Sequence, residues 1–146
     1  FGVYTPTLLD AYAQTLMLMG QQRALIVHGA GLDELALHGE SQIVDLEHGD
    51  LKRYTVTAAD FGLKSYDLDS IKGGEPEENR AFIAEALAGK GREAHRAAIA
   101  MNASALLVIN NIADDFAQGT EMALAAMSEG KPLTVLEKAA AISSKG

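Results

Sequence analysis

Ala24-Leu25-Ile26-Val27-His28-Gly29-Ala30-Gly31-Leu32-Asp33-Glu34 carries an apolar run into a glycine-spaced loop that ends on two adjacent carboxylates. The run Arg23 to Val27 lacks polar alternation, so it reads as a parallel strand buried on both faces. Open α/β sheets present ligand groups in the loops at the carboxyl edge of such strands. Asp33 and Glu34 at that edge offer hard oxygen ligands. Mg²⁺ favours such ligands and keeps waters and a substrate phosphate alongside them. On spacing alone a second reading stays open, that of an exposed acidic turn.

Upstream, Thr5-Pro6 gives a hydroxyl cap and a proline at the first helical position. Leu8, Leu9, Tyr12, Ala13, Leu16 and Met17 then recur at helical spacing, and Gly20 supplies a stop. A helix feeding a strand is half of a βαβ unit, whose first strand would lie upstream of Phe1. Downstream, residues 42–46 and 51–56 read as two strands joined at Glu47-His48-Gly49-Asp50. Thr57-Ala58-Ala59-Asp60 is a capping start, and residues 64–72 read as loop. Helices are expected from Pro76 to about Gly89, from Arg92 to Ile109, from Asp114 or Asp115 to Gly130, and after Pro132 with fraying near Ser143-Ser144-Lys145. Asn79 is expected to brace the helix after Pro76. The fold class is α/β: part of a parallel sheet flanked by helices, with a small antiparallel hairpin excursion over residues 42–56.

The length suits one domain with a real core. Without cysteine, disulfides, thiolate nucleophiles and Cys-based zinc sites are excluded, which fits a cytoplasmic location. A net charge of −8 with no basic stripe argues against nucleic acid. The longest near-apolar run, Ala97 to Ile109, is interrupted by Asn102 and Ser104 and falls short of a membrane span. No signal-peptide pattern opens the chain. His38, His48 and His95 lack ligand spacing, so a zinc site is not expected. Asp60-Phe61-Gly62 imitates a kinase triplet without the loops that a kinase needs. His28 at the strand end reads as a hydrogen-bonded structural residue rather than a base. Gly29 and Gly31 read as permitting a tight loop.

Several blocks occur in a fixed order: Gly2-Val3-Tyr4-Thr5-Pro6, His28-Gly29-Ala30-Gly31-Leu32-Asp33-Glu34, Asp60-Phe61-Gly62-Leu63 and Gly73-Gly74-Glu75-Pro76-Glu77-Glu78-Asn79. In that order and spacing the chain resembles the carboxyl-terminal part of the bacterial anthranilate phosphoribosyltransferases, over essentially all 146 residues. The family's Gly-Thr-Gly-Gly-Asp diphosphate loop, its Lys-His-Gly-Asn segment and its helical amino-terminal domain have no counterpart here. Residues 1–146 are therefore expected to be a carboxyl-terminal fragment of a single phosphoribosyltransferase domain.

The resemblance implies a Mg²⁺-dependent glycosyltransferase of tryptophan biosynthesis. Such an enzyme moves a phosphoribosyl group from phosphoribosyl diphosphate to anthranilate, and the fragment alone is expected to be inactive. It implies Asp33 and Glu34 as metal ligands, Gly2, Val3 and Tyr4 near the aromatic substrate, and no acid/base residue. It also implies a cytoplasmic homodimer formed through the amino-terminal domain. Two alternatives are a pyrimidine nucleoside phosphorylase-like fragment, which shares the parent fold, and a non-catalytic α/β interaction module.

Overall fold

The computed structural model describes residues 1–143. The α/β arrangement runs from a 3₁₀ turn, Pro6–Leu8, into α1 (Leu9–Leu18) and then the strands β1 (Arg23–Gly29), β2 (Ser41–Glu47) and β3 (Asp50–Val56). Two further 3₁₀ turns follow, Ala58–Phe61 and Leu68–Ile71, the second inside the stretch expected to be loop. The chain ends in α2 (Pro76–Leu87), α3 (Glu93–Ile109), α4 (Phe116–Ser128) and α5 (Lys131–Ser143). The fraying expected beyond Ser143 lies outside the described residues.

Strand direction differs from the sequence-based expectation. The antiparallel hairpin expected over residues 42–56 is present as β2 and β3, but it pairs directly with β1. Among the described residues, β1, β2 and β3 form one antiparallel sheet in that order, with Leu25 opposite Asp45 and Ile43 opposite Tyr54. Parallel pairing is confined to the first residues, where Val3 N–H donates to the Val27 carbonyl at 2.9 Å and Val27 N–H to that of Phe1 at 2.8 Å. The reason is physical. An unbroken apolar run reports burial on both faces, and that property is blind to the direction of the neighbouring strand.

β1 is buried on both faces because helices cover both. Leu25 and Val27 join Ile43, Val56 and Phe61 against Ala97, Met101 and Ala105 of α3. Ala24 and Ile26 point the other way, with Val44 and Leu46, onto Val3 and onto Leu9 and Ala13 of α1. Phe61 is fully buried and stacks on Phe116, ring centroids 4.6 Å apart. α3 and α4 meet through small residues. A Cβ on Gly119 would lie 2.6 Å from the Ser104 hydroxyl, which donates to the Phe116 carbonyl at 2.7 Å. Bulk here would part the helices.

Local signals set the element boundaries. His48 and Gly49 both take positive φ, 49° and 91°, as a two-residue hairpin turn requires. Pro76 opens α2, and the Glu75 N–H donates to the Glu78 carboxylate at 2.9 Å. At the turn Ala58–Phe61, the Thr57 N–H and hydroxyl donate to the Asp60 carboxylate at 2.7 and 3.0 Å. These bonds, the backbone one first, hold the Asp60 carboxyl below its ordinary range. A depressed carboxylate stabilises the fold at pH values above its unfolded pKa of about 4, and the contribution is lost as pH falls through the lower folded value. The group is exposed, so Asp60→Ala is expected to lower unfolding free energy near neutral pH by only about 0.5 kcal/mol. Denaturant melts should show the two proteins converging in acid. A gap that persists in strong acid would mean that packing, not charge, carries the effect.

Among the described residues no helix is long and apolar enough to cross a membrane.

Candidate active site

Residues 30–40 leave the end of β1 and return to β2, and short bonds pin this loop along its length. Gly29 and Leu32 exchange backbone hydrogen bonds at 3.0 and 2.8 Å. Leu35, Ala36 and Leu37 are buried. Ala36 N–H donates to the buried Ser41 hydroxyl at 2.9 Å, and His38 Nε2 bonds the Ala30 carbonyl at 3.1 Å. The Leu37 carbonyl accepts from the Ser65 hydroxyl at 2.8 Å. Asp33 and Glu34 are thus a two-residue ridge held at both ends.

Two close backbone approaches seat that ridge. A Cβ on Gly2 would fall 1.5 Å from the Asp33 carbonyl oxygen. One on Gly29 would fall 2.3 Å from the Glu34 carbonyl oxygen and 2.7 Å from the Ala36 nitrogen. Glycine at both places lets the loop lie directly on the strands. Ala30, between two glycines, holds φ at 47°, a left-handed conformation that is costly for a residue with a Cβ.

His28 is buried. Its Nδ1 lies 2.8 Å from the Val3 carbonyl, and Gly31 N–H donates to its Nε2 at 3.4 Å. A neutral ring with the proton on Nδ1 satisfies both contacts and ties the first segment to the loop. This is a bracing role, in keeping with the sequence.

The two acids face two adjoining clefts. Glu34 lines a cleft of roughly 680 Å³ between α2 and α3, with Gly73, Asn79, Phe82, His95 and Asn102 among its walls. Asp33 and Glu34 together line a smaller one of roughly 250 Å³ with Gly2, Arg23 and Asn102. The acid loop and the Gly73-Gly74 loop, 40 residues apart in sequence, therefore share one rim. Asn79 fixes the second loop: Gly74 N–H donates to its Oδ1 at 2.8 Å, and its Nδ2 donates to the Gly74 carbonyl at 2.9 Å.

Burial, and then the neighbouring Asp33, push the Glu34 carboxyl above its usual range. Among the described residues neither acid takes part in an ion pair. Among the described residues no group of three or more His, Asp or Glu side chains converges to hold a metal unaided. Two unpaired, mutually repelling carboxylates at a cleft rim suit a cation that completes its shell from water and substrate oxygens, as Mg²⁺ does. Of the residues expected near an aromatic substrate, Gly2 touches the acid loop. Val3 turns its side chain into the core, and Tyr4 is 76% exposed.

Nothing in the sequence signalled that Phe82, His95 and Asn102 border this site. The His95 ring packs on Phe82 with centroids 5.2 Å apart, and burial followed by the Arg92 charge lowers its pKa. Its Nε2 is buried and has no hydrogen-bond partner among the described residues.

The sequence pattern of the glycosyl transferase family, a/b domain, matches residues 1–133. The chain belongs to this family. This glycosyl transferase a/b domain is 48% identical over 136 residues to the anthranilate phosphoribosyltransferase of Psychromonas ingrahamii, covering 93% of this chain and 40% of that protein. It is 47% identical over 140 residues to the enzyme of that name from Photobacterium profundum, covering 96% and 41%. The chain thus spans about two-fifths of the length of the curated relatives it matches. Among solved structures, the anthranilate phosphoribosyltransferase of Thermus thermophilus superposes with a TM-score of 0.85 at 33% identity, over 94% of this chain and 40% of that one. The Saccharomyces cerevisiae enzyme in complex with PRPP and Mg gives 0.81 at 26% identity, over 93% and 40%. The family match therefore covers the strands, the acid loop and α1 to α4 together.

Proposed function

We propose that this chain is the carboxyl-terminal part of a phosphoribosyltransferase domain that joins a phosphoribosyl group to the amino nitrogen of anthranilate. Phosphoribosyl diphosphate is the donor and diphosphate the leaving group. The likeness to anthranilate phosphoribosyltransferases over more than nine-tenths of the chain carries this reading. In the longer protein the parallel pairing of Phe1–Val3 on β1 extends into further parallel strands. The reading brings with it a cytoplasmic enzyme of tryptophan biosynthesis, dimeric through its amino-terminal helices.

Asp33 and Glu34 would hold Mg²⁺ at the diphosphate, and the ion would supply charge neutralisation for the leaving group. The chain's own contribution is placement: Gly2 and Gly29 let the loop sit low, and the Leu32 and Leu35 anchors fix the span that bears both carboxylates. Gly2 and the backbone beside it border the aromatic acceptor, with Val3 as core support and Tyr4 at the mouth. The neutral amine forms the C–N bond as the anomeric C–O bond to diphosphate breaks, and its surplus proton passes to the departing diphosphate or to water, so no side chain is required as a base. Orientation and charge stabilisation supply the rate.

The test follows anthranilate fluorescence. The full-length enzyme is expected to consume anthranilate only with both phosphoribosyl diphosphate and Mg²⁺ present, and the 146-residue chain alone to leave it unchanged. Phosphorolysis of thymidine without turnover of anthranilate would overturn the assignment in favour of a nucleoside phosphorylase.

A further inference from the structure

We infer that Asn102, in the middle of α3, is the positioning residue that aims the acid pair. The inference rests on the metal-holding reading of Asp33 and Glu34. Leu35, the residue after Glu34, gives both of its backbone polar groups to the Asn102 carboxamide. Its N–H donates to Oδ1 at 3.0 Å, and its carbonyl accepts from Nδ2 at 3.2 Å. Nδ2 also donates to the Ala98 carbonyl one helical turn back, at 3.1 Å.

These partners fix which end of the amide is which. The oxygen faces an N–H, and the nitrogen faces two carbonyls. A flipped amide would break all three bonds. The carboxamide thus acts like one residue of a pairing strand presented by a helix. No apolar side chain can replace it, and an aspartate would lose both donor bonds. Asn102 also borders both clefts, as Glu34 does, so it stands beside the groups that it orients. The Asn79–Gly74 pair repeats the same two-bond grip on the opposite loop of the larger cleft. Two loops that face one cleft are each held to a helix by a single carboxamide.

Without the grip, Leu35 loses its anchor and the carboxylates lose their fixed separation. Partners that orient metal ligands typically govern affinity by about 10–100-fold. The experiment uses the full-length enzyme and Mn²⁺ as the probe, with protein-bound Mn²⁺ read by electron paramagnetic resonance, phosphoribosyl diphosphate present and anthranilate withheld. Asn102→Leu is expected to weaken Mn²⁺ binding about tenfold. In hydrogen–deuterium exchange it should speed exchange in the peptide holding Leu35, while peptides from β2 and β3 keep their protection. Asn102→Gln retains both hydrogen-bonding ends and should recover part of each effect. If Asn102→Leu does not fold, Asn102→Ser removes the reach with less bulk and is read in the same way. Unchanged Mn²⁺ affinity in the Leu or Ser variant, with Asp33→Asn/Glu34→Gln abolishing binding, would overturn the role of Asn102 and leave the metal reading intact. If Asp33→Asn/Glu34→Gln binds Mn²⁺ as well as the unsubstituted enzyme, the metal reading fails and this inference fails with it.

Discussion

Asp33→Asn combined with Glu34→Gln in the full-length enzyme should lower kcat/KM at least about 100-fold and shift half-maximal activity to higher Mg²⁺. The size follows from what is removed. Metal neutralisation of a charged leaving group contributes several kcal/mol, and each 1.36 kcal/mol is tenfold in rate. The amides keep the shape of the acids but lose their charge. Stability should hold or rise slightly, because burial and then the neighbouring Asp33 charge both disfavour the Glu34 carboxylate, as its raised pKa reflects. Steady-state kinetics across a Mg²⁺ series, beside a thermal melt, separates the cases. Full activity at ordinary Mg²⁺ would return the pair to the status of an exposed acidic turn.

The second large effect is expected at Gly29. Its φ is one that alanine can adopt, so the problem is space alone. A Cβ there would sit 2.3 Å from the Glu34 carbonyl oxygen, a backbone atom with no flexible end to yield. The loop must lift. Gly29→Ala should cost about 1–3 kcal/mol of stability, the range for overpacking a close contact. It should also cost activity out of proportion to that loss, because displacement of about 1 Å at reacting groups is worth up to about 100-fold. Gly31→Ala is the matched control. Nothing lies within 4 Å of its Cβ, but its φ is 95°, so it should lose stability through strain with the carboxylates left in place. Equal activity losses in the two variants, after correction for folded fraction, would reject the seating argument.

The element boundaries were legible in the sequence because they are local. Pro6, His48-Gly49, Thr57 to Asp60 and Glu75-Pro76 each set a turn or helix start locally, whereas the Thr5 hydroxyl makes no capping bond. Strand direction was not legible, since the apolar pattern of β1 records two covered faces and not the sense of its neighbour. The acid pair stood out because it follows a glycine-spaced strand end, where open α/β sheets present ligand groups. Asn102 did not, although the sequence displays it as a polar interruption of the apolar run Ala97 to Ile109. A polar group inside a buried helix must find a partner, and that rule signals that one exists without naming it. Here the partner is backbone, and backbone leaves no mark on side-chain spacing.

The grip of Asn102 on Leu35 joins residues 67 positions apart, whereas the turn between β2 and β3 closes over His48 and Gly49 alone. Short closures form early and long ones late, because the chain entropy of the long loop must be met first. Order of assembly therefore separates the scaffold from its working part. The hairpin can exist before α3 docks, and a chain caught at that stage has its sheet but not the geometry of its acids. The placement of Leu35 waits for α3.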